Sequence, residues 1–255
     1  MRALVYSEFG GPITVQEIPH PTPPPGGAVV RVHANGLCRS DWHAWAGHDD
    51  DITQLPHIPG HEFAGVVEEV GAGVDPSWVG RLVTAPFVQA CGECAVCRAG
   101  NGQVCPHQQQ PGFTMPGSFA EFVVVHAAHT NLVALPEGLS PATAAGLGCR
   151  VATSYRAVVA RARVQAGETV AVFGCGGVGL AAIAIAASRG ARVVAVDAAD
   201  GPLELARKAG AEASVLAGPE AVAAVVDWSG GGCAVSLDAV GSPATCSDAI
   251  ATLGR

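Results

Sequence analysis

The sequence predicts an α/β protein that has a β-rich domain over residues 1–148 and a parallel, doubly wound sheet over residues 149–255. Three observations support this class. The first half is rich in Gly, Pro and Val, and its short alternating apolar runs are separated by turns. In the second half, strand-like runs alternate with helix-like runs, a pattern typical of a parallel sheet. A glycine-rich turn joins the first of those strands to its helix.

The strands of the first half are predicted from runs in which apolar residues alternate with others. These runs are Ala28–Val32, Ala64–Val70 and Phe119–Val125. The segment from Pro21 to Gly27 contains four prolines and is expected to form a surface loop. This half of the chain therefore predicts a β-rich domain with irregular connections.

The second half predicts strands and helices in alternation. In chain order, the predicted strands and helices are Val170–Phe173, Val178–Arg189, Arg192–Asp197, Leu203–Ala209, Ala213–Leu216, Ala221–Val226, Ala234–Leu237 and Ala244–Leu253. Only four strands are visible, whereas a complete doubly wound nucleotide-binding sheet has six, so the predicted sheet is incomplete.

Composition and charge exclude several classes of partner. Of the 255 residues, 49% are apolar and 14% are charged, and the net charge is -8. The absence of a lysine or arginine cluster argues against nucleic acid, and the absence of a basic amphipathic stretch argues against a membrane surface. The apolar N-terminal run Met1–Tyr6 is too short for a signal peptide, and four glycines interrupt the apolar region Val170–Ala187. We therefore expect a cytoplasmic protein.

Four of the nine cysteines lie close together, at positions 91, 94, 97 and 105. Four thiolates at this spacing can surround one tetrahedral zinc ion. Because no secretory signal is predicted, a metal is favoured over disulfides. A site closed by Cys91, Cys94, Cys97 and Cys105 leaves no open position, so its role would be structural. Four reduced buried cysteines or an iron–sulfur cluster are the alternatives.

A glycine-rich turn follows the first strand of the second half. Gly174, Gly176 and Gly179 form the pattern G-x-G-x-x-G at a junction between strand and helix, where such a turn accepts a dinucleotide pyrophosphate. Gly177 and Val178 begin the helix whose N-terminus would face the phosphates. Asp197 ends the next strand, where an acid can bind both ribose hydroxyls and disfavour NADP relative to NAD. A glycine turn in another α/β fold is the alternative interpretation.

The chain also carries dispersed candidates, in the segments Gly36–His43, Gly60–Phe63 and Gly148–Arg150. A lone cysteine or histidine is usually a core or surface residue. With the other two motifs, however, these segments resemble the zinc-containing medium-chain dehydrogenases, the alcohol dehydrogenase group. The resemblance covers the whole chain. It implies a GroES-like catalytic domain, an NAD-binding Rossmann domain, and two zinc ions per chain.

The resemblance also implies roles for individual residues. The catalytic zinc would be held by Cys38, His61 and Cys149, and the structural zinc by Cys91, Cys94, Cys97 and Cys105. Asp41 would orient His61, and Glu62 would lie behind the metal. Arg39 would meet the cofactor pyrophosphate, Thr153 the nicotinamide, and Ser40 and His43 would form a proton relay.

By the same resemblance, the chain is expected to transfer a hydride between a small-molecule primary or secondary alcohol and NAD, giving an aldehyde or ketone. A polyol, threonine or thiol-adduct formaldehyde dehydrogenase, or a non-catalytic zinc protein, is the alternative. Family members continue for about another third of this length. The absent part would supply sheet strands, a wall of the substrate pocket and dimer contacts, so we expect this chain alone to be a poor or inactive dehydrogenase and a longer form to be a homo-oligomer.

The remaining candidates have simpler interpretations. Cys233 and Cys246 are expected to be small buried residues. Trp42, Trp45 and Phe87 either line the substrate pocket or pack in the core. The other histidines have no partner pattern and are expected to be structural or exposed: His20, His33, His48, His57, His107, His126 and His129.

Overall fold

A computed structural model describes Met1–Gly254, and its internal contacts divide the chain into one unit, Met1–Cys149, and a second that starts at Arg150. Arg255, the last residue of the predicted second domain, lies outside the described residues. The domain boundary drawn from the sequence, after residue 148, stays a prediction. No helix in the described part of the chain has both the length and the apolarity needed to cross a bilayer.

The first unit contains seven strands and four short α-helices. The strands are β1 (Arg2–Val5), β2 (Thr14–Glu17), β3 (Ala28–Gly36), β4 (Glu62–Val70), β5 (Leu82–Thr84), β6 (Phe122–Val125) and β7 (Val133–Ala134). The helices are α1 (Arg39–Trp45), α2 (Ala95–Arg98), α3 (Ala128–Asn131) and α4 (Pro141–Ala145). Strands β1 and β2 form an antiparallel pair, and the other five form an antiparallel sheet in the order β6-β3-β4-β5-β7. The predicted β-rich domain is thus confirmed.

The core of this sheet follows from alternation along its strands. Ala28 and Val30 of β3 pack with Phe63 and Val67 of β4 and with Val83 of β5. Each of these side chains is at most 1% exposed. Burying a side chain of valine or phenylalanine stabilises a fold by about 1.5–3 kcal/mol, so this layer fixes the register of the sheet.

Strand β3 is longer than the sequence predicted, and the extension positions a functional segment. Beyond Val32, where the predicted run ended, the chain continues to pair with β4 as far as Gly36, which lies opposite Glu62. The extra residues are less apolar, so pairing with β4 rather than burial holds them extended. The extension brings the end of β3, just before Cys38, next to the start of β4, just after His61.

Over its described residues, the second unit contains four parallel strands and five α-helices. The strands are β8 (Thr169–Phe173), β9 (Arg192–Asp197), β10 (Ala213–Leu216) and β11 (Val235–Asp238). The helices are α5 (Ala152–Tyr155), α6 (Gly177–Ser188), α7 (Asp200–Lys208), α8 (Ala221–Ser229) and α9 (Pro243–Ala251), and π-helical turns at Leu147–Val151 and Arg156–Arg161 flank α5. The sheet order β10-β9-β8-β11 corresponds to 3-2-1-4, the first four strands of a doubly wound nucleotide-binding sheet.

Both faces of this sheet are covered, which explains the nearly continuous apolar runs of β8 and β9. Val170 and Val172 of β8 pack on the side of α6 and α7. Ala171 and Phe173 of the same strand pack on the other side, with residues of α8 and α9. The alternating strand and helix prediction is therefore confirmed.

One prediction for the second unit is wrong. Cys233 is buried, at 1% exposure, but Cys246 is exposed. The reason is the rotation of α9, which turns Ala249 and the nearby Thr252 inward. Cys246 lies on the outer side of this helix.

Candidate metal centres and nucleotide-binding turn

The loop from Cys91 to Cys105 brings four sulfur atoms together. The Sγ–Sγ distances are 3.4 Å for Cys94–Cys97, 3.6 Å for Cys91–Cys105, and 3.8 Å for both Cys91–Cys97 and Cys94–Cys105. Zinc–sulfur bonds of about 2.3 Å in a tetrahedron give sulfur–sulfur edges of about 3.8 Å. The four thiols therefore fit one tetrahedral ion, and their separation is too small to enclose a multi-iron cluster.

Hydrogen bonds and burial within the same loop change the pKa values of two of these thiols. Backbone hydrogen bonds from Cys91 and His107 lower the pKa of Cys105. In contrast, burial and a hydrogen bond to Cys94 raise the pKa of Cys97 to about 12. Without an ion, Cys105 thus loses its proton more readily than Cys97, and a metal would displace the remaining protons because thiolates are its ligands.

A buried polar clamp, which no local pattern in the sequence marks, holds the base of this loop. The Asn131 side chain accepts a hydrogen bond from Ala90 N at 3.1 Å and donates to Ala90 O at 2.9 Å and His126 O at 2.8 Å. Gln89 Oε1 accepts from His126 N at 2.7 Å. Both side chains are 1% exposed. The clamp therefore fixes Ala90, and with it Cys91, against the end of β6.

We expect Asn131→Ala to lower the free energy of unfolding by about 3 kcal/mol, since it leaves buried backbone groups of Ala90 unpaired. It should also speed the loss of zinc from the four-cysteine loop to a chelator. Denaturant unfolding and metal release measure the two effects. Asn35→Ala, at an exposed position of β3, is the control. Unchanged stability and unchanged zinc release in Asn131→Ala would contradict the clamp.

The second cluster is assembled by the end of β3, α1 and the start of β4. Cys38 is the N-cap of α1, and its backbone N–H donates to Asp41 Oδ2 at 2.8 Å. The other carboxylate oxygen of Asp41 lies 3.0 Å from His61 Nδ1. Asp41 therefore binds the backbone of one predicted zinc ligand and orients the ring of another, as metal-bound histidines require.

His61 is fully buried, and its second nitrogen is unpaired. No group in the described part of the chain reaches Nε2 with normal hydrogen-bond geometry, although the residue is 0% exposed. One ligand atom each from Cys38, His61, Glu62 and Cys149 lies within 4.8 Å of the others. A buried ring nitrogen without a partner lowers the stability of the folded state. A metal ion between this nitrogen and the two sulfurs supplies that partner, so the donor set fits zinc.

The pKa values of Cys38 and His61 are compatible with the binding of zinc. A hydrogen bond from Cys149, with a further contribution from His61, lowers the pKa of Cys38 to about 3 in spite of its burial. Burial alone would lower the pKa of His61, but Asp41 and Cys38 raise it to about 9. Cys38 is thus a thiolate, and zinc would replace the proton that His61 holds in its absence.

Two glycines make room for this cluster. Glu62 is fully buried, and a Cβ on Gly36 would overlap its carboxylate. A Cβ on Gly148 would lie 2.6 Å from the Ala85 carbonyl oxygen, and the Gly148 carbonyl accepts a hydrogen bond from Phe87 N at 3.1 Å. The close approach of the backbone at Gly148 brings the next residue, Cys149, into the cluster.

Aromatic side chains lie close to two members of the cluster, His61 and Cys38. The rings of Phe113 and Phe87 lie 5.1 Å and 6.1 Å from the ring of His61. Trp42 and Trp45, together with Cys38, line a mostly apolar cavity of about 560 Å³. His61 and Cys149 are not among the described residues that line it. The cavity therefore lies beside the ligand cluster, and the assignment of these aromatic residues to a substrate pocket stays a prediction.

The three other predicted residues of α1 have defined surroundings. Ser40 Oγ lies 3.7 Å from Cys38 Sγ. His43 is exposed, and its Nδ1 lies 3.2 Å from Nδ1 of His48. The Arg39 guanidinium carbon lies 4.1 Å from the centre of the Trp42 ring. The structure thus places Ser40 beside a metal-ligand candidate, and it gives His43 a partner that the sequence did not predict.

The glycine-rich turn has the predicted geometry. Gly174 adopts φ +90°, which favours glycine, and a Cβ on Gly179 would overlap the Gly174 carbonyl oxygen. Helix α6 begins at Gly177 and continues with Val178, one turn after β8. At the end of β9, Asp197 Oδ2 accepts a hydrogen bond from the N–H of Cys175 in the turn, at 2.7 Å. An acidic side chain and a helix N-terminus thus meet at one edge of the sheet.

The segment before β8 is fastened to this turn. Ser154, which the sequence did not single out, is fully buried, and its hydroxyl lies 2.7 Å from the Val178 carbonyl oxygen and 2.8 Å from that of Arg150. The neighbouring Thr153 is exposed. Its role toward nicotinamide and that of Arg39 toward pyrophosphate stay predictions.

Comparison with known proteins identifies the family. The alcohol dehydrogenase GroES-like domain matches residues 24–137, and the zinc-binding dehydrogenase family matches residues 177–255. An alcohol dehydrogenase of Rhizobium meliloti is 36% identical over 233 residues, which cover 91% of this chain and 68% of that protein. The chain belongs to the zinc-dependent alcohol dehydrogenase family. This finding confirms the predicted family and the predicted fold class.

The chain is also similar to other alcohol dehydrogenases. An alcohol dehydrogenase of Geobacillus stearothermophilus is 40% identical over 213 residues, 83% of this chain, and the chain spans 62% of the length of that relative. The crystal structure of an NAD-dependent alcohol dehydrogenase superposes with a TM-score of 0.90 at 33% identity, over 100% of this chain and 75% of that one. The two ligand clusters are those expected of a family that binds zinc.

Proposed function

We propose that this protein is a zinc-dependent oxidoreductase that transfers a hydride between a primary or secondary alcohol and NAD. The observation that carries the proposal is the unpaired, fully buried Nε2 of His61, within 4.8 Å of ligand atoms of Cys38 and Cys149. Three protein ligands leave a fourth position open for substrate, which distinguishes a catalytic zinc site from the closed four-cysteine site. The similarity to an NAD-dependent alcohol dehydrogenase supports the cofactor.

Each residue of the two clusters would have its own role. Cys38, Cys149 and His61 would hold the catalytic zinc, and Cys91, Cys94, Cys97 and Cys105 the structural one. When bound, zinc supplies a Lewis acid that acidifies an alcohol hydroxyl, and NAD supplies the hydride acceptor. Asp41 keeps the His61 ring oriented through Nδ1, and the two thiolates moderate the positive charge.

The residues of α1 would remove the hydroxyl proton. Ser40 Oγ, beside Cys38 Sγ, accepts that proton while it passes its own toward His43, whose exposed ring releases it to solvent. Gly174, Gly176, Gly177, Val178 and Gly179 would bind the pyrophosphate through backbone N–H groups, and Asp197 would bind the adenosine ribose. Glu62, with a carboxylate oxygen within 4.8 Å of the other ligand atoms, would remain outside this three-ligand set. Reduction of an aldehyde or ketone runs through the same groups in reverse.

The test is an assay with NAD and a panel of alcohols, on the zinc-loaded protein in a form as long as its relatives, because this chain spans 62% of the length of one of them. We expect NADH formation with primary or secondary alcohols, and aldehyde or ketone reduction with NADH. Polyols, L-threonine and the glutathione adduct of formaldehyde test the neighbouring substrate classes. If none of these substrates reacts in a protein that carries two zinc ions, the protein is not an oxidoreductase of this class. A homo-oligomeric state and a cytoplasmic location remain predictions.

We expect His43→Ala to slow alcohol oxidation by roughly 10²-fold, because a positioned histidine contributes at least that factor to proton transfer. The loss should be greatest at low pH, where hydroxide cannot replace the relay. Ser40→Ala should be at least as harmful. Zinc content should stay at two ions per chain in both variants. Rates equal to wild type from pH 6 to pH 9 would show that these residues form no relay.

A further inference from the structure

The chain turns back after α1 and brings a second histidine, His48, next to His43. Gly47, just past the helix, has φ +76°, the left-handed conformation that favours glycine. Its N–H donates to Ala44 O at 3.2 Å, and the N–H of His48 donates to His43 O at 2.9 Å. These two bonds form a Schellman motif, which returns the chain over the last turn of the helix. These hydrogen bonds therefore hold the backbone of His48 next to that of His43.

The two imidazole rings meet through like atoms. His43 Nδ1 and His48 Nδ1 are 3.2 Å apart, and both rings approach Trp42, with ring centroids 4.8 Å and 5.3 Å away. A hydrogen bond between two Nδ1 atoms needs a proton on one and a lone pair on the other. When His43 donates from Nδ1, its Nε2 keeps a lone pair and can accept a proton. His48 can thus select the tautomer of His43 that acts as a base.

We infer that His48 is a positioning residue for the proton relay. It holds His43 in the proton-accepting tautomer and shares the charge that His43 gains. This inference rests on the proposed function. During oxidation a proton would reach His43 Nε2 while Nδ1–H remains donated to His48 Nδ1, and the proton would then leave His43 for solvent. His48 itself contacts no reacting atom.

The charges near the pair come from two segments. On the same segment they are Arg39, whose guanidinium lies over Trp42, Asp41, which is bound to His61, and the acidic run of residues 49–51. The segment after β1 packs on the turn through Phe9 and Gly10, and its titratable residues are Tyr6 and Glu8. Asp49 follows His48 directly in the sequence, and its carboxylate accepts a hydrogen bond from Asp51 N.

The first test reads the tautomer of His43 without any measurement of activity. In the zinc-loaded protein labelled with ¹⁵N-histidine, we expect the neutral His43 ring to carry its proton mainly on Nδ1. His48→Ala should shift His43 toward the Nε2–H tautomer. His48→Asn, which keeps an acceptor oxygen near the position of Nδ1, should retain the wild-type tautomer. His33→Ala, at an exposed position on β3, is the control.

The second test is kinetic. His48→Ala should lower kcat for alcohol oxidation by roughly tenfold, less than the 10² expected for His43 itself, and most strongly near pH 6. His48→Asn should restore most of the rate. Gly47→Ala, whose Cβ would meet the Phe9 ring at 3.0 Å, should displace His48 and reproduce the loss with both histidines present. In the His43→Ala background, His48→Ala should have no further effect, because it acts through His43.

The inference is overturned if His48→Ala leaves the His43 tautomer unchanged, or if its pH–rate profile equals that of His33→Ala. It is also overturned if the effects of the two histidine variants multiply, since that result indicates an independent structural role. If the zinc-loaded protein in a form as long as its relatives oxidises no alcohol, the proposed function fails, and the tautomer measurement then decides by itself whether His48 positions His43.

Discussion

Replacement of Cys38 by alanine is expected to remove one of two zinc ions per chain and to reduce alcohol oxidation by roughly a thousandfold or more. A Lewis-acid metal contributes several kcal/mol to the reaction, and each 1.4 kcal/mol corresponds to a factor of ten. The substitution removes one sulfur from the three-ligand cluster. It keeps the backbone N–H of residue 38, which donates to Asp41. The orientation of His61 should therefore survive, and the loss is assigned to the metal.

Metal analysis and steady-state kinetics on the same preparation measure this effect. Cys246→Ala is the matched control, because Cys246 is an exposed cysteine outside both clusters. It should keep two zinc ions and the wild-type rate. Two zinc ions and undiminished turnover in Cys38→Ala, or iron in place of zinc in the wild type, would contradict the assignment of the two centres.

The preference for NAD over NADP is the second large effect that we expect, at roughly 10²-fold or more in kcat/KM. A phosphate on the adenosine ribose would approach the Asp197 carboxylate, and two like charges about 4 Å apart near a protein surface repel by about 4 kcal/mol. Ala198 and Ala199 follow Asp197, so no cation comes directly after it to offset the repulsion. Asp197 is also held in place, since it accepts hydrogen bonds from Cys175 N at 2.7 Å and Ala199 N at 3.2 Å.

Asp197→Ala should reduce the ratio of NAD to NADP efficiency by roughly a hundredfold, both through loss of the ribose contact and through relief of repulsion. Asp200→Ala removes an exposed carboxylate three residues later and serves as the control. It should change the ratio by a few-fold at most. Equal use of both cofactors by the wild type would show that Asp197 does not reach the ribose.

The repeated local patterns of the sequence were sufficient to predict the parallel sheet and the four-cysteine site. Strands β8 and β9 are apolar at successive positions because both faces of the sheet are covered, and that signal is contained in a few consecutive residues. The glycine turn requires glycine at Gly174 and Gly179 for reasons of sterics alone. The four cysteines lie within fifteen residues, so loop closure brings them together without help from the rest of the fold.

The features that the sequence did not predict depend on contacts between distant residues or on the direction of a side chain. The tertiary structure, through the β3–β4 register, brings Cys38 next to His61, and from the sequence alone this pairing rested on family resemblance. Asn131 binds Ala90 across 41 residues, and no local pattern marks such a bond. The contact between His43 and His48 is local, but it depends on the left-handed turn at Gly47. The sequence by itself therefore predicted which residues are candidates to bind metal and cofactor, whereas the tertiary structure decided which candidates lie together, because proximity across a sheet is set by strand register and packing.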